Sequence, residues 1–236
     1  MTAGYIGSMR SNVTIVNIGL PCDRDGMSSV SVDPLGKKSY HHGALRPALV
    51  AASIALAREG GPDRVVLREA ARAAGVSHSA AYRHFADREE LLAEVARFAR
   101  NELATEMRRQ VNRFKDPRRR LRAVGTAYLD FALTEPGLFR TAFTSHPATS
   151  GPRDDDGAIE PFDVLGQVLD ETQAAGLLDP GRRAGAEIAA WSAVHGLAGL
   201  LVDGPLPPSA AGIKFAREQV LDLIERGLLN LTPTRS

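Results

Sequence analysis

Four side chains that form strong hydrogen bonds lie within seven residues of one segment: His78, Ser79, Arg83 and His84. Imidazole, hydroxyl and guanidinium groups can pair with the edges of nucleic-acid bases, and they can also bind phosphate oxygens. Their close spacing favours a surface that contacts nucleic acid over scattered polar side chains.

The elements that must position these groups are two short helices joined by a tight turn. Leu67, Ala70 and Ala74 recur at three- and four-residue steps, which is typical of a helix with one face toward a core. Gly75 then ends this helix, because glycine adopts the left-handed backbone that a sharp turn requires. Ser77 is a favoured N-cap and predicts the start of the next helix. The spacing therefore predicts a helix-turn-helix unit.

Residues 40–92 resemble the DNA-binding domain of the TetR family of bacterial transcriptional regulators. The segment AGVSHSAAYRHFADREELL is similar to the family's recognition helix and the start of its fourth helix, and YHHGALRPALVAASIALAREGG is similar to its first helix. Residues 191–206, WSAVHGLAGLLVDGPL, resemble the Trp-His-Gly segment of one branch of TetR-type C-terminal domains. The chain departs from the family pattern at Val66, where Ser or Thr usually caps the second helix, and at Ala80 and Ala81, which shorten the outward face of the recognition helix.

The resemblance implies an all-α fold with a three-helix helix-turn-helix domain, followed by a helical domain that binds an effector and forms the dimer. We expect a flexible N-terminal arm at 1–36, the DNA-binding domain at 37–87 and the effector-binding and dimerisation domain at 88–236. Helical periodicity and Gly or Pro breaks predict the helices 43–60, 67–74, 78–85, 88–113, 118–134, 137–145, 160–175, 181–203 and 211–229.

The expected DNA contacts divide into base and phosphate contacts. The N-terminal half of a helix in the major groove meets the bases first, which favours His78, Ser79 and Arg83 as base contacts. Tyr82 and His84 are expected on phosphates, although an aromatic residue on a short amphipathic helix can instead be packed. The full set adds a helix cap, two lysines before the first helix and two further arginines: Lys37, Lys38, Arg68, Ser77, His78, Ser79, Tyr82, Arg83, His84 and Arg88.

Several of these expectations have a plain alternative. Arg68 is either a DNA contact or an arginine in solvent. Arg88, at the start of a helix, resembles the family's phosphate clamp. Lys37 and Lys38 either follow the DNA backbone or belong to a frayed arm.

Bulky residues of the C-terminal part fall on neighbouring predicted helices, and Trp191 and His195 are one turn apart. Aromatic residues at helical spacing usually form a plain core, and a plain core remains the alternative here. The resemblance favours a cavity for a small apolar or aromatic effector, with His195 as a polar group in an apolar wall. The candidate effector-binding residues are Tyr128, Phe131, Leu138, Phe139, Phe143, Trp191 and His195.

The last two long helices are expected to form a four-helix bundle with a second copy of the chain, as they do in the family. Small residues allow close helix approach and large ones supply apolar area. The candidates are Gly185, Ala189, Ala193, Gly196 and Gly199 on the first helix, and Phe215, Val220, Leu221, Ile224, Leu228 and Leu229 on the second. Packing within one chain only is the alternative.

Charge is distributed unevenly along the 236 residues, although the net charge is only +1. Residues 37–122 contain 19 basic and 10 acidic residues, whereas residues 123–236 contain 8 and 15. A basic front part suits a polyanionic partner such as DNA, although basic clusters often only face solvent. The single cysteine and the lack of a long apolar run predict a cytoplasmic, nucleoid-associated protein without a membrane partner.

Enzyme motifs for a phosphate-binding loop, a zinc protease, a serine nucleophile or a cysteine pair do not occur in the sequence, so we expect no catalysis, cofactor or metal. The sequence predicts a homodimeric repressor that binds a palindromic double-stranded operator and that a small effector releases. The alternative is a DNA-binding protein without a small ligand, which acts through a protein partner or organises the chromosome.

Overall fold

Helices account for nearly all regular structure in residues 45–144, 160–206 and 209–230, which are the residues that this computed structural model describes. These residues form ten α-helices: α1 (Leu45–Gly60), α2 (Leu67–Ala73), α3 (His78–Ala81), α4 (Arg88–Val111), α5 (Pro117–Thr134), α6 (Pro136–Ala142), α7 (Pro161–Ala174), α8 (Pro180–Arg183), α9 (Ala186–Val202) and α10 (Ala210–Leu228). A 3-10 helix spans Pro62–Arg64. The all-α prediction is confirmed. The arm at 1–36, Lys37 and Lys38 lie outside the described residues.

Helix starts follow local rules that the sequence displays. The side chain of Asp87 caps α4 by accepting a hydrogen bond from the Glu90 amide at 2.8 Å, and the Glu90 carboxylate accepts one from the Ala86 amide at 2.8 Å. Proline occupies the first turn of α5, α6, α7 and α8, where its missing N–H leaves no helical hydrogen bond unmade.

Three predicted helices differ from the observed ones, and the one predicted at 137–145 ends at Ala142. The helix predicted at 78–85 ends at Ala81, because the amides of Arg83 and His84 bond carbonyls three residues earlier rather than four. The helix predicted at 181–203 is divided into α8 and α9 by Gly185, whose φ of 80° is left-handed.

We call residues 45–87 the head and residues 117–230 the body, and α4 connects the two. One face of α4 is buried from its first turn to its last, and it packs against α1, α5, α6 and α7. In contrast, α10 buries only Leu221 and Leu228. Across the described parts of the chain, no helix combines the length and the apolar character needed to cross a membrane.

Candidate nucleic-acid interface and ligand cleft

The helix-turn-helix segment presents its predicted contact residues on the surface of the head. Ser77, His78, Ser79 and Arg83 are all exposed. The Ser77 hydroxyl accepts from the Ala80 amide at 3.2 Å and lies 3.2 Å from the Ser79 hydroxyl, so both serines are partly occupied by capping α3. Arg83, two residues after the end of α3, is an exposed arginine that no hydrogen bond of the cap involves.

Tyr82 is half exposed and contacts the edge of the His78 imidazole, with ring centroids 4.7 Å apart. This contact limits the rotation of both rings at the head surface. His84 is partly buried, and its carbonyl accepts a hydrogen bond from Arg46 at 2.7 Å. Arg68 is exposed on α2.

Arg46 is a positioning residue that sequence reasoning missed. Besides the His84 carbonyl, its guanidinium donates to Glu90 at 3.1 Å and to Glu94 at 2.8 Å, and it lies 4.3 Å from the centre of the Phe85 ring. The hydrogen bond with Glu94 is the main reason why the pKa of Arg46 is raised. Arg46 thus joins α1 to the turn after α3 and to the first two turns of α4.

Arg88 is directed into the protein rather than freely into solvent. Its Nε donates to the Val65 carbonyl at 2.8 Å and one Nη donates to the Pro62 carbonyl at 2.6 Å. The geometry supports a role in fixing the connection before α2 to the start of α4, and these two bonds use Nε and one Nη of the guanidinium.

Five of the seven candidate effector residues form one aromatic cluster: Tyr128, Phe139, Phe143, Trp191 and His195. The Tyr128 hydroxyl is 2.7 Å from His195 Nδ1, so each satisfies the other. Burial raises the pKa of Tyr128 and lowers the pKa of His195, which favours the neutral form of both groups.

Phe131 and Leu138, the other two candidates, are buried in the core and lie outside both the aromatic cluster and the cleft described next. Burial alone therefore does not make them ligand contacts.

An apolar cleft adjoins the aromatic cluster, and Tyr128 and Trp191 belong to both. It encloses about 460 Å³ of empty space, part of which is open to solvent. The cleft is narrow, since only a few water molecules fit in it. Its walls come from five helices, and its lining residues are Met107, Leu121, Arg122, Val124, Gly125, Tyr128, Leu165, Ala190, Trp191, Val194, Leu221, Ile224 and Glu225.

The edge of the cleft is formed by ion pairs between α5 and α10. Arg122 donates to Asp222 at 2.8 Å, to Glu225 at 3.1 Å and to Glu218. These carboxylates raise the pKa of Arg122 although its partial burial opposes them. A second pair joins Arg217 to Asp130 at 2.5 Å.

Between these ion pairs, Leu221 packs directly against Gly125. A β-carbon at Gly125 would overlap the Leu221 Cδ2 atom and would lie 3.5 Å from Val194 Cγ2. We call this contact the Gly125 notch. The sequence prediction placed Leu221, Leu228 and Leu229 at the subunit interface, but all three are buried within the chain.

The exposed large apolar residues of the last two long helices include one predicted interface residue, Phe215 on α10, and three that were not predicted: Ile188 and Leu200 on α9, and Leu223 on α10. Apolar periodicity could not separate the two faces of α10, because both carry large apolar side chains.

A tight junction between α1 and α6 links the head to the body. A β-carbon at Gly137 would overlap the carbonyl oxygen of Ala57, so the α6 backbone touches the α1 backbone. Arg58 of α1 pairs with Glu135 at 3.3 Å, and Arg140 of α6 pairs with Asp203 after α9 at 2.6 Å. The same short helix carries Phe139 of the aromatic cluster.

Comparison with known proteins identifies two family models in the chain. One, described as bacterial regulatory proteins of the tetR family, matches residues 49–95. The other, described as a tetracyclin repressor-like C-terminal domain, matches residues 121–223. Together they match well over half of the sequence. No curated protein matches it.

Solved structures agree with these models. A protein of unknown function from Rhodococcus sp. RHA1 is 30% identical, with a TM-score of 0.66, over 82% of this chain and 100% of that one. TetR family regulators from Marinobacter aquaeolei (21% identical, TM-score 0.59, 80% of this chain and 97% of that one) and Thermus thermophilus (PfmR; 23%, 0.54, 75% and 97%) share the fold.

Proposed function

We propose that this chain, which belongs to the TetR family of bacterial DNA-binding transcriptional regulators, works as a homodimeric repressor that a small apolar molecule releases from its operator. The family is one of regulators rather than enzymes. In the proposal, two heads bind successive major grooves about 34 Å apart on a palindromic duplex.

At the head, we assign base contacts to Arg83, His78 and Ser79, and phosphate contacts to Tyr82 and Arg68. The exposure of these side chains supports the assignment. His84 is a weaker candidate because it is partly buried, and Arg88 is better described as a positioning residue because two carbonyls occupy it.

For the dimer, we propose that the exposed apolar residues of α9 and α10 contact a second copy. Ile188, Phe215 and Leu223 are each about two-thirds exposed, and an apolar side chain of that size is stabilised when a partner covers it. Phe215→Glu and Leu223→Glu should therefore yield a monomer in sedimentation experiments while the fold is kept. If the wild-type chain is itself monomeric at micromolar concentration, the dimer proposal is wrong.

The observation that carries the regulatory proposal is that α4 and α6 each contact both the head and the region of the cleft. The first turns of α4 pair with Arg46 in the head, and Met107 near its end lines the cleft, about 26 Å from Glu90 at 1.5 Å per residue. Phe139 of α6 belongs to the aromatic cluster beside the cleft, while Gly137 of the same helix touches α1. A change of shape at the cleft is therefore transmitted to the head by packed helices.

The narrowness of the cleft is the observation that favours the alternative, a DNA-binding protein that acts through a protein partner. A ligand-responsive protein must open this cleft to hold a molecule of drug-like size. Membership of the Trp-His-Gly branch and a location at the nucleoid remain predictions.

The test of DNA binding starts from a random pool of duplexes, from which the wild-type protein selects a preferred sequence. Arg83→Ala should weaken binding to that duplex by about 1–3 kcal/mol and relax its sequence preference at defined base pairs. Arg226→Ala, which removes an exposed arginine of α10, is the control and should bind like the wild type. Equal binding by both variants contradicts the assignment of Arg83.

The test of ligand response uses n-octanol as an apolar probe and Trp191, the single tryptophan, as the reporter. Octanol should change Trp191 fluorescence and release the duplex over the same concentration range. Linkage requires octanol to bind more weakly when the duplex is present, by the same factor by which octanol weakens duplex binding. Identical octanol affinity with and without the duplex contradicts ligand control of DNA binding.

A further inference from the structure

The Gly125 notch lies in the wall of the cleft, and both residues that form it line the cleft. Leu221 is almost fully buried there, although it belongs to a helix that buries only two of its side chains. The Leu221 methyl group occupies the place that any larger residue at 125 would take. Leu221 is thus the most buried side chain of α10, and it packs on α5 at Gly125.

The remaining attachments of α10 to α5 are ion pairs whose carboxylates are partly exposed. Glu218 and Asp222 each expose nearly half of their side chains. Such pairs hold the position of a helix less rigidly than buried packing does, because solvent screens them and they re-form at slightly different geometry. On the α5 side, the cost of shifting α10 therefore depends largely on Leu221. The helix also packs along α9, and its C-terminal end is tied by the hydrogen bond from the Asn230 amide to the Leu177 carbonyl, so a shift that frees Leu221 is a small movement away from α5.

Leu221 and a ligand compete for adjoining space. Protein interiors are close-packed, and the cleft is the empty space beside Leu221 among the described residues. A molecule that opens the narrow cleft must move a wall, and the end of the Leu221 side chain is the part of the α10 wall that lies against Gly125. The side chain leaves the notch either by rotating or together with a displacement of α10, and the proposal concerns the second route.

The opposite face of α10 carries the exposed Phe215 and Leu223. Leu223 follows Leu221 by two positions, which is about 200° around a helix, so any displacement that frees Leu221 also displaces this face. We propose that Leu221 is the gate residue of the cleft: an apolar ligand binds when Leu221 leaves the Gly125 notch, and the resulting shift of α10 weakens self-association. This proposal depends on the ligand-binding dimer proposed above.

Two substitutions in the notch, one that adds a methyl group and one that shortens Leu221, test the gate proposal without any ligand. Gly125→Ala adds a methyl group that displaces Leu221, and because the overlapped atom is the end of a flexible side chain, the fold should survive. Leu221→Val removes the overlapped atom, whereas Leu221 Cγ would be 3.9 Å from the new β-carbon, an ordinary contact. The double variant should therefore restore the packing of α10 on α5.

The measurements are the monomer–dimer constant by sedimentation and the hydrogen exchange of amides 210–228. Gly125→Ala should weaken the dimer by roughly fivefold or more and speed exchange in α10, and the double variant should recover most of both effects. Gly166→Ala on α7 is the control, since its added methyl meets only Glu187 Oε1 of α9 at 3.5 Å, which is an ordinary contact. Circular dichroism verifies that each variant is helical.

Octanol completes the test in the wild-type protein. It should weaken the dimer as Gly125→Ala does, and it should add little to the effect of that substitution. The gate proposal is wrong if Gly125→Ala leaves both the monomer–dimer constant and the hydrogen exchange of α10 unchanged. It is also wrong if the double variant dimerises more weakly than either single variant. If octanol releases the duplex while the dimer constant stays fixed, the repressor proposal stands and the gate fails. If octanol and Gly125→Ala shift the dimer but octanol does not release the duplex, the gate stands and the repressor proposal fails.

Discussion

Two helix contacts in the molecule each combine a glycine with an arginine: that between α1 and α6, and that between α5 and α10. They differ in the kind of atom that the glycine faces. At the first, Gly137 touches the backbone of α1, and Arg58 pairs with Glu135. At the second, the neighbours of Gly125 are side-chain ends, that of Leu221 first and that of Val194 next. Backbone atoms of a helix cannot move away singly, whereas a leucine side chain can.

This difference indicates which parts of the molecule adjust to a ligand. The head is fixed to the body at Gly137, and Arg46 fixes the turn after α3 by bonding its backbone carbonyl at His84. The edge of the cleft is held by side chains alone. A ligand therefore finds a compliant wall at α10, while the shift it produces is passed to the head through rigid contacts.

Gly137→Ala should have the largest effect on this comparison. Its β-carbon has no space beside the Ala57 carbonyl, so α1 and α6 must separate, and we expect a loss of about 3 kcal/mol in the free energy of unfolding. Gly166→Ala should be neutral or slightly stabilising, because alanine favours a helix over glycine. Urea titration followed by circular dichroism measures both. A Gly137→Ala protein as stable as the control would show that the junction is as compliant as the notch.

Arg46→Ala extends the comparison to the DNA-binding end. The substitution leaves the His84 carbonyl, Glu90 and Glu94 without this donor, and we expect a loss of about 2 kcal/mol in stability together with duplex binding weakened at least about tenfold. Arg72→Ala removes an exposed arginine that pairs within α2 and should change stability by less than about 0.5 kcal/mol. Unchanged duplex affinity in Arg46→Ala would contradict its positioning role.

Arg122→Ala should cost less, about 1–2 kcal/mol, because its three carboxylate partners are partly solvated. The carboxylates would then repel one another, so about 0.5 M NaCl should reduce the difference from the wild type. Hydrogen exchange should rise in α10 and not in α4. Uniform acceleration over both helices would mean that Arg122 supports the whole body rather than α10.

Local signals explain why the sequence predicted the helix-turn-helix so well. Gly75, with its left-handed φ of 70°, and the Ser77 cap act within a few residues of themselves. The aromatic cluster was also accessible, since Trp191 and His195 lie one turn apart on one helix and family resemblance supplied the facing helices. The prediction of these elements required no knowledge of distant contacts.

The contacts missed by the sequence join residues that are far apart along the chain. Arg46 and Glu94 are 48 residues apart, and Arg122 and Glu225 are 103 apart. The role of Leu221 was mistaken because α10 carries apolar residues on two faces, and only the position of Gly125 decides which face turns inward. Helical periodicity identifies a stripe but does not identify its partner.

The smallest expected effect concerns the hydrogen bond between Tyr128 and His195 in the aromatic cluster. Tyr128→Phe removes it and should lose about 1 kcal/mol of stability at about pH 7.5, whereas the amide in His195→Asn takes the place of Nδ1 and can still bond the Tyr128 hydroxyl. The two variants should differ in their response to pH. Tyr128→Phe retains the buried imidazole, whereas His195→Asn does not, so this pair separates the hydrogen bond from the titration.

Burial lowers the pKa of His195 in the folded protein below its ordinary value of 6.5. The unfolded chain therefore binds a proton at a higher pH than the folded one does, and the free energy of unfolding falls as the pH drops through 6.5 toward the lowered pKa. Urea titrations between about pH 7.5 and 5.5 should show this fall in the wild type and in Tyr128→Phe, and a smaller fall in His195→Asn. Parallel pH profiles for all three proteins would mean that His195 is as well solvated in the folded state as in the unfolded one, and the aromatic cluster would then be open to water rather than closed around a neutral imidazole.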